Sequence, residues 1–219
     1  MDPRPGGIPS VGCLLYLAAD QLVARRPSIV TFSMMTRVPC KRVWVHSVHL
    51  SAMVLTATFL SLQESGQLSF RIHEESRRMI PGGVTTSLTL YAEVLDPTVR
   101  PGLPGALLSA AIKSPDGRIG TAESSSLRLY GTDEAQVLDL WVEHPYVKNA
   151  VRGELAQVGA YTKSGRAFRP DCARIALLEG ACADAVRWWK QQQADSPRLY
   201  APLLAICRMA STPMRGGGG

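Results

Sequence analysis

The longest regular pattern of apolar positions runs from residue 49 to residue 70, and its period changes at a glycine. Apolar residues spaced three and four apart predict a helix that is apolar on nearly every face, which is typical of a helix buried on both sides. Gly66 follows the last helical position, where a left-handed backbone suits glycine. Beyond it, Leu68, Phe70 and Ile72 alternate with polar residues, which predicts a half-buried strand.

A second alternating run, residues 88–94, is predicted to pair antiparallel with that strand across a turn at 77–83. Helix, glycine and strand pair are the layout of a winged helix, although any α+β domain can contain it. The layout recurs, because ELAQVGAY at 154–161 corresponds to SLQESGQL at 61–68. The sequence therefore predicts a helix-rich α+β fold with two winged-helix-like halves, small antiparallel β-hairpins and a C-terminal helical segment.

Segments rich in proline and glycine divide the chain. Residues 1–10 are predicted to be a disordered N-terminus, and residues 211–219 a flexible tail. DPTVRPGLPG, at 96–105, is predicted to be a rigid connector. It separates an N-terminal winged-helix-like half, 11–96, from a C-terminal helical half, 104–210.

The remaining segments contain further signals of regular structure. Residues 28–48 fit either a strand or a helix, and the winged-helix layout requires its first helix there. A tight hairpin is predicted around 163–165, and a short strand at Leu127 and Leu129. Helices are predicted at 11–26, 105–112, 133–144, 147–158, 171–193 (the longest) and 199–210, with Pro202 as a kink or a start.

Composition sets broad limits on function. The 219 residues suffice for one large domain or two small ones, and the hydrophobic fraction of 46% predicts a folded core. The net charge of +6 permits a nucleic-acid or anionic-membrane partner without requiring one. No apolar run approaches the roughly 20 residues that cross a bilayer, so no transmembrane segment is predicted. The N-terminus makes a poor signal peptide.

The five cysteines are widely spaced, and no two form a C-x-x-C pair. Cys172, Cys182 and Cys207 lie on apolar helical patterns, where a free cysteine behaves as a small hydrophobe. This favours a reducing compartment and a cytoplasmic location, with nuclear or peripheral membrane locations as alternatives. Zinc is not predicted, because no cysteine lies near a histidine at ligand spacing.

Catalytic motifs are not found in the sequence. It contains no phosphate-binding glycine loop, no G-x-S-x-G and no H-E-x-x-H. His46 and His49 are three residues apart, and a metal site there would need further ligands from His73 or Glu74 and Glu75. We interpret the pair as ordinary histidines at a helix start. The sequence thus predicts a protein that is not an enzyme, with no catalytic residue, metal or cofactor.

Basic residues in predicted loops are the candidate contacts for a partner. They are Lys41, Arg42, Arg77, Arg78, Arg166 and Arg169. Such groups contact phosphates in winged-helix proteins, although each pair also fits a solvated loop. The central helix lacks the exposed polar face that a recognition helix needs in the major groove. Protein contacts are therefore favoured over base readout.

Adjacent tryptophans supply two further candidates. Neighbouring residues on a helix point about 100° apart, so Trp188 and Trp189 cannot both face one core. One of them is predicted to point outward or to lie in an interface, where aromatic residues are enriched. Trp44 and Trp141 are predicted to be core residues instead.

Three stretches resemble a known family in their order along the chain: SLQESGQL, LDPTVRPGLPGALL and VRGELAQVGAY. They resemble the Golgi phosphoprotein 3 family, across most of the chain after residue 50. The resemblance implies an α-rich fold that binds an anionic phosphoinositide headgroup at a membrane surface. The N-terminal third departs from the family's layout, and the resemblance assigns no binding residue here.

Together these patterns predict a non-enzymatic interaction module, an adaptor or scaffold, that acts through protein–protein contacts as a subunit of a larger complex. One alternative is a winged-helix DNA-binding regulator, for which strong salt dependence is expected. The other is a peripheral phosphoinositide-binding membrane adaptor, which would require anionic lipid.

Overall fold

The computed structural model describes residues 7–23, 35–79, 83–96, 98, 102–112, 127–130, 137–140, 144–165 and 167–210. The α-helices are α1 (Val11–Leu17), α2 (Ser47–Glu64), α3 (Gly102–Ile112), α4 (His144–Gln157), α5 (Cys172–Ala176), α6 (Glu179–Asp195) and α7 (Pro197–Ala210). The strands are β1 (Met35–Arg37), β2 (Trp44–His46), β3 (Leu68–Met79), β4 (Gly83–Val94), β5 (Leu127–Tyr130), β6 (Val137–Leu140), β7 (Tyr161–Ser164) and β8 (Ala167–Pro170). The helix-rich α+β class, its small antiparallel hairpins and its C-terminal helical segment are confirmed.

The strands form three sheets within the described residues. β1 pairs with β2, and β7 with β8, each as an antiparallel hairpin. The third sheet has the order β3-β4-β5-β6, in which only the β4–β5 pairing is parallel. The predicted antiparallel pairing across the turn is confirmed, with Leu68 opposite Val94 and Met79 opposite Gly83. β3 therefore extends further toward the turn than predicted.

Helix α2 forms the centre of the core and packs against α1, α3, α4 and α7. Its interior positions are buried on every side, including the small polar residues Ser51, Thr56 and Thr58. The prediction of a helix buried on both faces is confirmed. Buried residues from Cys13 to Cys207 belong to one hydrophobic cluster, so the segments 11–96 and 104–210 share a core.

The helix–glycine–hairpin layout occurs twice with the same hydrogen bonds. After α2, Gly66 has φ +71°, its N–H donates to Gln63 O (3.0 Å), and Gln67 N–H donates to Leu62 O (2.9 Å). This is the Schellman ending, in which a left-handed glycine lets two amides satisfy the last carbonyls of a helix.

Helix α4 ends in the same way. Gly159 has φ +78°, its N–H donates to Ala156 O (3.1 Å), and Ala160 N–H donates to Leu155 O (2.8 Å). Each hairpin then returns to its helix end through an aspartate, because Asp96 N–H donates to Gln67 O (3.3 Å) and Asp171 N–H to Ala160 O (3.0 Å). The correspondence between residues 61–68 and 154–161 is therefore a correspondence of local geometry.

The predicted helix at 11–26 is too long, since α1 ends at Leu17 and a 3₁₀ turn follows at Ala19–Gln21. Two further predicted helices also differ from the structure. Part of the segment 133–144 is strand β6, which pairs with β5, so pairing across the sheet overrides a short helical pattern. The predicted helix at 171–193 is divided into α5 and α6 at Leu177 and Leu178. At the last helix, Pro197 occupies the first position, which suits proline, and Pro202 lies inside α7.

Other predictions concern segments that are only partly described. Residues 35–46 of the ambiguous segment 28–48 form the β1–β2 hairpin. Residues 1–6 and 211–219, Trp141 and Arg166 lie outside the described residues. Among the helices that the structure describes, none is long and apolar enough to cross a membrane.

A buried carboxylate links three helices. Glu154 on α4 is only 6% exposed, and it accepts hydrogen bonds from the N–H of Ser10 (2.6 Å) and of Leu103 (3.3 Å). These amides belong to the N-terminal ends of α1 and α3, where unpaired N–H groups and the helix dipole favour a negative charge. Glu154 therefore fixes the starts of two helices against a third.

Close packing between α1 and α2 requires a glycine. A Cβ on Gly12 would lie 2.7 Å from Thr58 Oγ1 and 3.3 Å from the carbonyl oxygen of Val54. The hydroxyl cannot readily move, because it donates to that same carbonyl at 2.8 Å. We expect Gly12→Ala to reduce the free energy of unfolding by about 1–3 kcal/mol, since the helices must separate.

Thermal or urea unfolding measures this effect, and Gly153 supplies a matched control. Gly153 is also helical, but a Cβ there would meet no atom within 4 Å. Gly153→Ala is therefore expected to stabilise the protein by roughly 0.5–1 kcal/mol through helix propensity alone. Equal effects of the two substitutions would show that α1 and α2 do not pack this closely.

Candidate functional site

A disulfide joins two distant parts of the chain at the surface. Cys40, in the β1–β2 loop, is bonded to Cys172, the first residue of α5 and 132 positions later. Both residues are exposed. The prediction that Cys172 is a free, core-facing cysteine is wrong, whereas Cys182 and Cys207 are buried thiols, as predicted.

The disulfide brings two basic segments together. The Cα atoms of Cys40 and Cys172 lie 5.5 Å apart. Consecutive Cα atoms are separated by about 3.8 Å, so the Cα of Lys41 lies within roughly 9 Å of that of Cys172. Segments 35–46 and 167–174 together contain five arginine and lysine residues and one carboxylate, Asp171. We call this region the disulfide surface: Arg37, Cys40, Lys41, Arg42, Trp44, Arg169, Cys172 and Arg174.

Neighbouring carboxylates neutralise only part of this charge. Lys41 Nζ lies 2.7 Å from Asp20 Oδ1, and its side chain remains 41% exposed. Asp171 caps α5 by accepting the N–H of Ala173 and of Arg174, each at 3.1 Å. Since both carboxylates have structural roles, the exposed arginines give the surface an excess of positive charge.

An exposed tryptophan lies on the same hairpin. Trp44 is 55% exposed and is paired with Arg37 across the β1–β2 ladder. The next pair, Thr36 and Val45, is buried, since alternate residues of a strand face opposite sides. The prediction that Trp44 lies in the core is therefore wrong, because Val45 takes the inward position of the strand.

Hydrogen bonds order the loop between β1 and β2. Val38 N–H donates to Val43 O at 2.9 Å, and Lys41 N–H donates to Val38 O at 3.3 Å, which closes the loop. Arg37 Nε donates to Lys41 O at 2.9 Å, which directs its guanidinium toward the loop. Arg37 and Lys41 are thus held by hydrogen bonds of the same ordered loop.

The other predicted contacts lie apart from this turn in the chain. Arg77 and Arg78 are in strand β3, opposite Thr85 and Val84, rather than in the predicted turn. Of the predicted contacts, Lys41, Arg42 and Arg169 lie on the disulfide surface.

The two adjacent tryptophans differ in burial, since Trp189 is buried and Trp188 packs only partly against the core. Trp189 is 3% exposed and packs edge-on against Tyr200, with ring centroids 5.0 Å apart. Trp188 is half-buried, and its indole N–H donates to Glu64 at 3.0 Å, at the end of α2. The visible role of Trp188 is therefore to join α6 to α2.

A histidine pair lies at the start of α2. The rings of His46 and His49 are 4.5 Å apart between centroids. Burial lowers the pKa of both histidines, and the positive charge of Arg208 lowers it further. A nearby arginine opposes a bound cation, and the described residues contain no cluster of three metal-ligating side chains.

A cleft between α3 and α4 has a volume of about 340 Å³. Its walls are mainly small residues, among them Gly102, Ala106 and Gly153, together with Glu154. That carboxylate already accepts two helix amides, which gives it a structural role in the wall.

Sequence reasoning missed Arg37, Arg174 and the exposure of Trp44. The alternation of Trp44 and Val45 in a strand pattern could have indicated that one of them, here Trp44, lies on the exposed face. The pairing of Cys40 with Cys172 had no comparable signal, because five cysteines allow several connectivities.

Comparison with known proteins does not assign the chain to a family. Searches against protein-family models, curated proteins and solved structures found no match to this chain. The resemblances to winged-helix proteins and to the Golgi phosphoprotein 3 family stay predictions.

Proposed function

We propose that the protein is a non-enzymatic interaction module, an adaptor or scaffold, that binds an acidic segment of a partner protein. The observation that carries the proposal is the disulfide surface, where Cys40–Cys172 joins two basic segments beside the exposed Trp44. Arginine and tryptophan are the residue types that most often dominate the energy of protein interfaces. The proposed binding site is therefore this surface.

The chemistry of the surface favours carboxylates flanking an apolar side chain. A guanidinium forms two parallel hydrogen bonds with a carboxylate, so Arg42 and Arg169 suit glutamate or aspartate in an extended peptide. Trp44 offers an aromatic face for an apolar residue of the same peptide. A cytoplasmic location stays a prediction; cytoplasmic thiols reduce exposed disulfides, so binding there would require Cys40–Cys172 to be held in its oxidised form.

The test is the binding of a fluorescent, glutamate-rich peptide with a central phenylalanine, followed by fluorescence anisotropy. We expect the double variant Arg42→Gln/Arg169→Gln to weaken binding by about tenfold or more, since each charge-assisted hydrogen bond contributes about 1 kcal/mol or more. Trp44→Ala should weaken binding comparably.

Arg198→Gln is the matched control, because Arg198 is an exposed arginine of α7 outside the disulfide surface. It is expected to leave the affinity unchanged. A loss of binding free energy for Arg198→Gln of half the double variant's loss or more would reduce the effect to net charge and contradict the proposed site. Tighter binding to double-stranded DNA, or to vesicles containing a phosphoinositide, would replace the proposal with one of its alternatives.

A further inference from the structure

Thiol chemistry is concentrated at one exposed pair. Cys40 and Cys172 are exposed, whereas Cys13, Cys182 and Cys207 are buried. Burial raises the pKa of Cys182 to about 11 and that of Cys207 to about 12. Because the thiolate is the reactive form, the buried thiols are poor partners for exchange near neutral pH. The Cys40–Cys172 bond is therefore accessible to a reductant in solution.

The disulfide joins a well-packed hairpin to a weakly packed helix. On the hairpin side, Val38 and Val45 are buried, and the Lys41–Asp20 ion pair adds a second anchor. On the other side, α5 contains no buried residue, and only Ile175 packs partly against the core. Leu177, which follows α5, is 76% exposed. Segments with few buried apolar contacts open at low free energy, so α5 depends on the bond more than the hairpin does.

We infer that the disulfide is a redox control of the interaction surface, and that its reduction releases α5, with Arg174, from the hairpin that contains Arg42. This inference rests on the proposed function for its binding consequence. A dithiol reductant supplies the electrons: one of its thiolates attacks a sulfur of the pair and forms a mixed disulfide. Its second thiol then closes a new disulfide in the reductant. Cys40 and Cys172 are thereby reduced to two thiols, which take up the two protons that the dithiol loses.

Separation of the segments weakens binding for a physical reason. In the oxidised protein, Arg42 of the hairpin and Arg174 of α5 lie on segments joined by the bond, so a peptide bound at one is already close to the other. Arg169 stays in place, because its strand β8 is paired with β7. Once α5 moves freely, the second contact has a lower effective concentration. We expect the affinity for the acidic peptide to fall by about tenfold on reduction.

Maleimide labelling and hydrogen exchange test the switch without any ligand. Native oxidised protein should give no maleimide adduct, and dithiol-treated protein should be labelled at Cys40 and Cys172 alone. Reduction should speed amide exchange of α5 by about tenfold or more, until it approaches that of an unfolded segment, while α2 continues to exchange far more slowly than α5. The variant Cys40→Ser/Cys172→Ser should exchange like reduced protein under oxidising conditions.

Each other outcome has a defined meaning. Unchanged exchange in α5 after reduction overturns the inference, as does exchange of α5 and α2 at the same rate, which would mean that the bond stabilises the whole fold and not α5 in particular. If α5 is released and the acidic peptide binds equally well, the control of binding is refuted and the proposed function stands. If the oxidised protein does not bind the peptide, the proposed function fails, while exchange still decides whether α5 is released.

Discussion

Replacing Glu154 with alanine is expected to lower the free energy of unfolding by about 2–5 kcal/mol. The carboxylate is buried and accepts the amides of Ser10 and Leu103, so its removal leaves two buried N–H groups unpaired at helix ends. It also leaves a space beside Gly102, whose Cβ, if present, would lie 2.0 Å from Glu154 Oε2. Urea unfolding followed by circular dichroism measures the loss.

Two further substitutions separate the hydrogen bonds from the packing. Glu154→Gln keeps the shape but presents an NH2 group to one amide, and we expect it to lose about 1–3 kcal/mol. Glu179→Gln is the control, because Glu179 is exposed in the first turn of α6, where loss of its charge costs at most about 1 kcal/mol. An effect of Glu154→Ala no larger than that of Glu179→Gln would mean that the carboxylate does not join the helices.

Long periodic patterns were predictive because local and tertiary preferences agree there. In α2 the apolar spacing, the glycine ending and burial against four helices all favour the same helix. The same holds for α4 and the β7–β8 hairpin, whose Gly159 repeats the backbone conformation of Gly66. Glycine is the default residue at a left-handed position, so these two helix endings can be read from the sequence.

Short patterns were less predictive, since partners far along the chain decide them. The segment containing β6 has helical signals, but Val137–Leu140 finds hydrogen-bond partners in β5. The predicted helix at 171–193 is divided at Leu177 and Leu178, just after the turn that Cys172 joins to the hairpin. A covalent partner 132 positions away leaves no local signal.

The candidate site was predictable in part for the same reason. Lys41, Arg42 and Arg169 were identifiable as basic residues in turns, but their proximity depends on the disulfide. Neither segment alone offers more than a few solvated cations, which contribute little to binding. The bond joins the two segments into one surface, which includes the exposed Trp44.

Loss of the disulfide has the second large expected effect on stability. Cys40→Ser/Cys172→Ser should lower the free energy of unfolding by about 2–5 kcal/mol, because a bridge between residues 132 positions apart strongly restricts the unfolded chain. In a chain of this length the melting temperature should fall by about 5–15 °C. Differential scanning calorimetry without reductant compares the variant with the parent protein.

The single variants distinguish the bridge from the side chains. Cys40→Ser and Cys172→Ser each remove the same bond, so either one should cost as much as the double variant, and the effects should not add. Reductant should destabilise the parent protein by the same amount and leave the double variant unchanged. Additive losses, or an effect of reductant on the double variant, would show that the stabilisation comes from something other than the bond. Agreement of the single variants, the double variant and the two measurements with reductant would establish that the two basic segments are joined covalently in the folded protein.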